Sequence, residues 1–206
     1  MMTDAGSLAM PQRTVPHAVQ ETSPPVVSNT RLAMLVVIAA ESMLFAGLIG
    51  TYLVFRLSRT WPPPDLPRLP LALTAANSIL LFASLVPMTR ALRAVRRDDR
   101  ATLVRALELT ALMGAFFLVV QGFEWVRLVR HGLTLGGSMY GATFYVLIGC
   151  HAAHVLAAVV WLTVTAFLAR RGAFRATRHG ALEMCGIYWY FVCALWVILF
   201  PLVYVY

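Results

Sequence analysis

Residues 139–169 read MYGATFYVLIGCHAAHVLAAVVWLTVTAFLA, an apolar run without a single Arg, Asp or Glu. About 20 apolar residues suffice for a helix to cross the hydrocarbon of a bilayer, so this run spans with length to spare and tilts or projects beyond it. Two histidines, His151 and His154, stand inside it three positions apart. That spacing places both on one helix face.

Outward from this stretch, four more apolar segments repeat the pattern, at approximately Leu32–Phe55, Leu69–Thr89, Ala106–Val126 and Ala181–Tyr206. The chain of 206 residues is 60% hydrophobic and 13% charged, with a mean hydropathy of +0.74. The hydrophobic share and hydropathy lie above those of soluble domains, and the charged share lies below. The expectation is an all-α integral membrane protein, a bundle of five transmembrane helices. Residues 1–30, with Pro, Ser, Thr and scattered charge, are expected to form a flexible cytoplasmic tail. They lack the basic start and apolar run of a secretory signal. Residues 31–206 form the membrane domain.

Between the spans the sequence changes character. Trp61-Pro62-Pro63-Pro64 cannot be helical throughout, and its Trp suits the membrane interface. Pro87 falls near the end of the second span. The segment from Arg90 to Arg105, dense in arginine and relieved by Asp98 and Asp99, is expected to be a loop, as are 127–137 and 170–179.

All 17 basic residues are Arg, and the net charge is +8. Arginines flanking apolar runs, with no interleaved aromatic platform, exclude a nucleic-acid partner and match membrane anchoring. With five spans, the amino-terminal tail and the loops after spans two and four share one side, which holds 12 arginines against five on the other. The positive-inside rule then puts the amino terminus in the cytoplasm and the carboxyl terminus in the periplasm.

Ionisable groups at membrane depth are costly and usually face a bundle interior or a functional path. Glu41 lies mid-span, either as a proton-handling or lipid-cleft group or as a neutral acid bonded to a neighbouring helix. Gln121 and Glu124, again three apart, could bind a ligand or carry protons, but read first as ties between helices. His151 and His154 suggest a metal or haem, yet two ligands need company. The other histidines, His17, His131 and His179, fall in tail or loops, so hydrogen bonding is the expectation and no metal site is assigned. Cys150, Cys185 and Cys193 form no CxxC and read as small buried hydrophobes. Tyr188-Trp189-Tyr190-Phe191 reads as packing and interfacial anchoring rather than a cofactor box.

Taken together, these residues resemble subunit III of the haem-copper respiratory oxidases. Glu41 with Phe45 resembles the family's Ser-Glu helix, with Ala40 in the Ser position. Trp61-Pro62-Pro63 and Asn77 resemble its Trp-Pro-Pro loop and the helix that follows. Gln121-Gly122-Phe123-Glu124-Trp125 is similar to its Gln-x-x-Glu-Tyr motif. Tyr140-Gly141-Ala142-Thr143-Phe144 with Gly149, His151, His154 and Val155 resembles Tyr-Gly-Ser-x-Phe…Gly-x-His-x-x-His-Val. Glu183 and Tyr188-Trp189…Phe191-Val192…Trp196 fall where the family's last helix carries Glu and Tyr-Trp-His-Phe-Val-Asp-x-x-Trp.

The chain is similar to a short form lacking the first two of seven helices, and has Tyr190 and Cys193 where the family has His and Asp. The resemblance implies a non-catalytic subunit without catalytic residues or cofactor of its own. Haem and copper would sit in partner subunits I and II. It also implies phospholipid bound in a cleft, support for proton uptake, and a bacterial inner membrane. Glu41, Gln121, Glu124, His151, His154 and Glu183 would form the buried polar or lipid-cleft positions. Two alternatives stand beside it. Leu199-Phe200-Pro201-Leu202 is similar to accessory membrane proteins of nitric-oxide reductase, and the intramembrane carboxylates fit a small transporter or channel, although no half-repeats are evident.

Overall fold

The computed structural model describes residues 29–57 and 71–205. Trp61 and Pro62 lie outside them. Six α-helices follow in chain order: α1 (Asn29–Leu57), α2 (Leu71–Ala83), α3 (Leu85–Arg96), α4 (Arg100–Arg130), α5 (Met139–Arg170) and α6 (Gly180–Phe200). A π-helical turn, Pro201–Val205, continues α6. Five helical stretches are long and apolar enough to cross a membrane, with α2 and α3 together making the second. Among the described residues the protein is therefore all-α, with five helical stretches fit to span a membrane.

The division of the second span follows from Pro87. Proline supplies no N–H for the bond back to Ala83, and its ring crowds that carbonyl. The break falls at Ser84, whose Oγ donates to the Leu81 carbonyl at 2.5 Å and thereby turns inward in the ladder. Arginine is a good helix former, and α3 carries Arg90, Arg93 and Arg96 as helical residues rather than as a loop. The expected loop 90–105 thus shrinks to a tight turn at 97–99, with Asp98 at a φ of 54°. Asp99 caps α4 by accepting from the Thr102 amide at 3.0 Å, and hydrogen bonding from the Thr102 side chain first, then from its amide, holds the carboxyl below the usual carboxylate range. Asn29 and Thr30, assigned to the tail by sequence, begin α1.

In the bundle, α5 packs against α1, α4 and α6, while α4 closes on α2 and α3 and α6 also meets α1 and α3. The largest fully buried side chains, Trp189 and Trp196 of α6, meet Phe117 of α4, Phe144 of α5 and Phe45 and Tyr52 of α1 in one core. Indole N–H groups need partners away from water. Trp189 donates to Ser84 Oγ at 3.1 Å and Trp196 to Ser78 Oγ at 2.8 Å. Gly114 lets α4 approach: a Cβ there would lie 2.6 Å from Trp189 Cη2 and 2.8 Å from Val159 Cγ2. Chain reversals bring Arg31, Arg96, Arg100, Arg170 and Glu183 to one end, where Arg100 donates to the Arg170 carbonyl and Glu183 pairs with Arg31 and Arg96, and leave Arg56 near Leu202 at the other.

Candidate functional site

The polar residues singled out by sequence do not converge on one site. They separate into three groups along the bundle.

Near the midpoints of α1 and α5, His154 Nε2 faces the Glu41 carboxylate as an ion pair. His154 Nδ1 lies 2.7 Å from the Cys150 carbonyl, which can only accept, so Nδ1 carries a proton. A proton on Nε2 or on the carboxyl would join the two by a hydrogen bond, and such pairing lowers the cost of ionisable groups at bilayer depth. Phe45 meets the His154 ring edge-on at 5.2 Å and shields the pair on one side.

His151 departs from the hydrogen-bonding expectation. It is buried, and neither ring nitrogen has a hydrogen-bond partner. Its ring stacks on Trp196, 5.0 Å away with 18° between planes. The pair spacing put both histidines on one side of α5, but the roughly 60° between positions three apart sends one toward α6 and the other toward α1.

At the end bearing Arg56, Glu124 is buried and accepts from the Thr74 hydroxyl at 3.0 and 2.9 Å, and from Gln121 Nε2 at 3.2 Å. Gln121 Nε2 also donates to the Tyr204 hydroxyl at 2.9 Å. This knot ties α2, α4 and the π turn. Close by, Arg56 donates to the Leu202 carbonyl at 2.8 Å and to the Tyr52 hydroxyl at 3.3 Å. Thr74 and Tyr204 were not visible from sequence, because nothing local marks a distant partner. Asn77 is buried in α2 and donates to the Phe117 carbonyl at 3.0 Å. Tyr140 and Gly141, at the start of α5, are buried; a Cβ at Gly141 would strike the Thr134 carbonyl at 2.3 Å.

Glu183 belongs to neither group. It sits at the arginine-rich end and accepts from Arg31 at 2.6 Å and Arg96 at 3.3 Å, with His179 at 3.1 Å. Its role is to join α1, α3 and α6, favoured further by its place in the first turn of α6. Tyr190 hydrogen-bonds Thr89 at 2.8 Å, joining α6 to α3. Cys193 is buried. Among the described residues no group of three or more His, Cys, Asp or Glu is arranged to hold a metal ion.

Residues 17–206 match the family model for cytochrome c oxidase subunit III. The chain is similar to cytochrome c oxidase subunit 3 of Synechocystis sp., 37% identical over 169 residues, which are 81% of this chain and 71% of the relative. The subunit of the same name from Thermostichus vulcanus is 32% identical over 176 residues, 84% of this chain and 86% of the relative. That of Homo sapiens is 30% identical over 189 residues, 88% of this chain and 71% of the relative.

Proposed function

The chain belongs to the cytochrome c oxidase subunit III family, and from that premise we propose that it supports the catalytic subunit's proton uptake and stability as the non-catalytic subunit III of a haem-copper terminal oxidase. It is a multi-pass membrane protein of a complex with other oxidase subunits. The match along residues 17–206 carries the reading.

In this proposal the partners are oxidase subunits I and II, which hold haem and copper, and the membrane is a bacterial inner membrane. The arginine-rich end faces the cytoplasm, where guanidinium groups meet anionic headgroups. Bound phospholipid completes the subunit. The Glu41–His154 pair supports the proton-handling part of the reading, since it places a carboxyl group and an imidazole in contact at bilayer depth. The relatives reported above carry the oxidase name, so neither the nitric-oxide reductase alternative nor the transporter alternative is favoured.

The test is purification in mild detergent through a tag on this chain. Haem and copper co-purifying in partner polypeptides is the expected result, and a colourless oligomer of this chain alone overturns it. Glu41→Ala in that complex should leave haem content intact while shortening the lifetime of turnover. Loss of haem would contradict a supporting role.

A further inference from the structure

The exposed side of the second span changes character at one point. Ile79, Ala83, Val86, Arg90, Arg93 and Arg97 follow one another at steps of three and four, and all six are exposed. That spacing sets them in one stripe along α2 and α3. As far as Val86 the stripe is apolar, and beyond it every member is an arginine. The opposite side of α3, with Pro87, Met88, Ala91, Ala94 and Val95, is buried against the bundle. The fold supplies an acid for one arginine of this helix and for none of the stripe. Arg96 pairs with Glu183 at 3.3 Å. The guanidinium groups of Arg90, Arg93 and Arg97 have no ion pair, hydrogen bond or ring contact among the described residues.

The described acids of this end are committed elsewhere: Asp98 to the Ala176 amide at 2.7 Å, Asp99 to the Thr102 amide, Glu108 to Arg170, and Glu183 to Arg31 and Arg96. Like charges three and four residues apart on a helix destabilise it, a cost that an anion among them removes. Arg90 to Arg97 rises about 10 Å at 1.5 Å per residue. That distance crosses the headgroup layer, roughly 5–7 Å thick on each side of a bilayer. Ile79, at 70% exposure, and Val86, at 53%, then lie at the depth of acyl chains. One amphiphile matches both halves, with hydrocarbon on the apolar part and phosphate among the guanidinium groups. A partner helix matches them less well. Ala83 invites a close backbone, whereas three long arginines just beyond hold a backbone off, and each would need an acid in register. A lipid is free of both constraints, because its headgroup and its chains move independently.

We propose that the outer face of α3 is a binding site for an anionic phospholipid, its phosphate held by Arg90, Arg93 and Arg97 and its acyl chains lying on Ile79, Ala83 and Val86. The site rests on the preceding reading only in placing the arginine-rich end at a headgroup layer, and it deepens the phospholipid part of that reading by naming the headgroup charge and the helix that takes it.

The experiment uses the tagged complex in nanodiscs of dioleoylphosphatidylcholine doped with phosphatidylglycerol that bears a diazirine in one acyl chain, irradiated and mapped by peptide mass spectrometry. Phosphatidylcholine with the same diazirine is the reference. Each guanidinium near an anionic headgroup favours binding by roughly fivefold. Phosphatidylglycerol label on residues 79–90 should therefore exceed the reference by about tenfold. Arg90→Gln, Arg93→Gln and Arg97→Gln together should bring that ratio to about one, whereas Lys at all three positions should keep most of it. Arg171→Gln, Arg175→Gln and Arg178→Gln remove the same charge from the same end and should leave the ratio unchanged, which separates a site on α3 from the general field of the arginines. Excess inorganic phosphate should not compete; competition would assign the arginines to a soluble anion and overturn the lipid. No label on residues 79–90, as a partner helix lying there would give, a ratio near one in the unaltered complex, or equal loss in the two Gln variants also overturns the site. A nanodisc offers the same lipids to both faces and haem content is read separately, so this site and the supporting-subunit reading fail independently.

Discussion

α1 and α6 are both apolar helices of one bundle, yet they are held by different means. Only 6% of the most apolar window of α1 is buried, against 50% for the span formed by α6 and its π turn. α6 places two tryptophans at the centre of the protein and meets close neighbours through Gly114 and Gly186. α1 turns most of its side chains outward and touches the bundle through polar contacts at three levels. These are Arg31 with Glu183, Glu41 with His154, and Arg56 with the Leu202 carbonyl, supplemented by Phe45 and Tyr52. In water a helix so little buried would detach. In a membrane lipid tails solvate its apolar flank, and hydrogen bonds and close packing decide association.

The largest test of this contrast is Trp196→Ala, which deletes a fully buried ring, its stack on His151 and its bond to Ser78. A loss of about 3–5 kcal/mol is expected in reversible detergent unfolding. Met43→Ala on α1, where the side chain is 78% exposed, should change almost nothing. Comparable losses at the two positions would break the comparison. Next, Gly114→Ala forces Trp189 and Val159 apart, at about 1–3 kcal/mol by the same measurement. Wild-type stability there would mean that α4 and α6 are more loosely packed than the geometry requires.

A double-mutant cycle with Glu41→Gln and His154→Phe should give a coupling of about 1–2 kcal/mol in favour of the native pair. Strictly additive effects would remove the central attachment of α1. Ser138→Ala, which deletes the cap accepting from the Gly141 amide at 3.0 Å, should lower stability by about 1 kcal/mol. Arg31→Ala should have the smallest effect, a lower thermal midpoint at low salt that vanishes in concentrated salt, because exposed ion pairs are screened. Persistence at high salt would show a contact of another kind.

The spans were legible because hydropathy is a property of each segment alone. The Arg90–Arg105 stretch was not, since charge marks the edge of the hydrocarbon but not the end of a helix, and α3 and α4 run past that edge. Glu41, Gln121, Glu124 and the two histidines stood out as anomalies in apolar surroundings. Their partners Thr74 and Tyr204 did not, being ordinary residues brought near only by the packing of α2 and the π turn onto α4. The separation of Glu183 from the other acids was equally hidden, because position along a chain does not say at which end of a bundle a residue emerges. Identical three-residue spacings also concealed different outcomes: Gln121 reaches Glu124 directly, whereas His151 and His154 face different helices.

The break at Ser84 gives the second span a mechanical property that an unbroken helix lacks. Ser84 keeps right-handed helical angles, φ −63° and ψ −18°, so α2 and α3 continue in the same helical sense across the interruption. What is missing is the tie across Pro87, and stiffness along a helix resides in those ties. The span therefore works as two levers on one fulcrum. The fulcrum is gripped by the Trp189 indole on Ser84, while α2 is anchored through Thr74 to Glu124 and α3 through Arg96 to Glu183. Strain applied at the arginine-rich end is therefore expected to bend the span at this joint before it reaches the Thr74–Glu124–Gln121–Tyr204 knot.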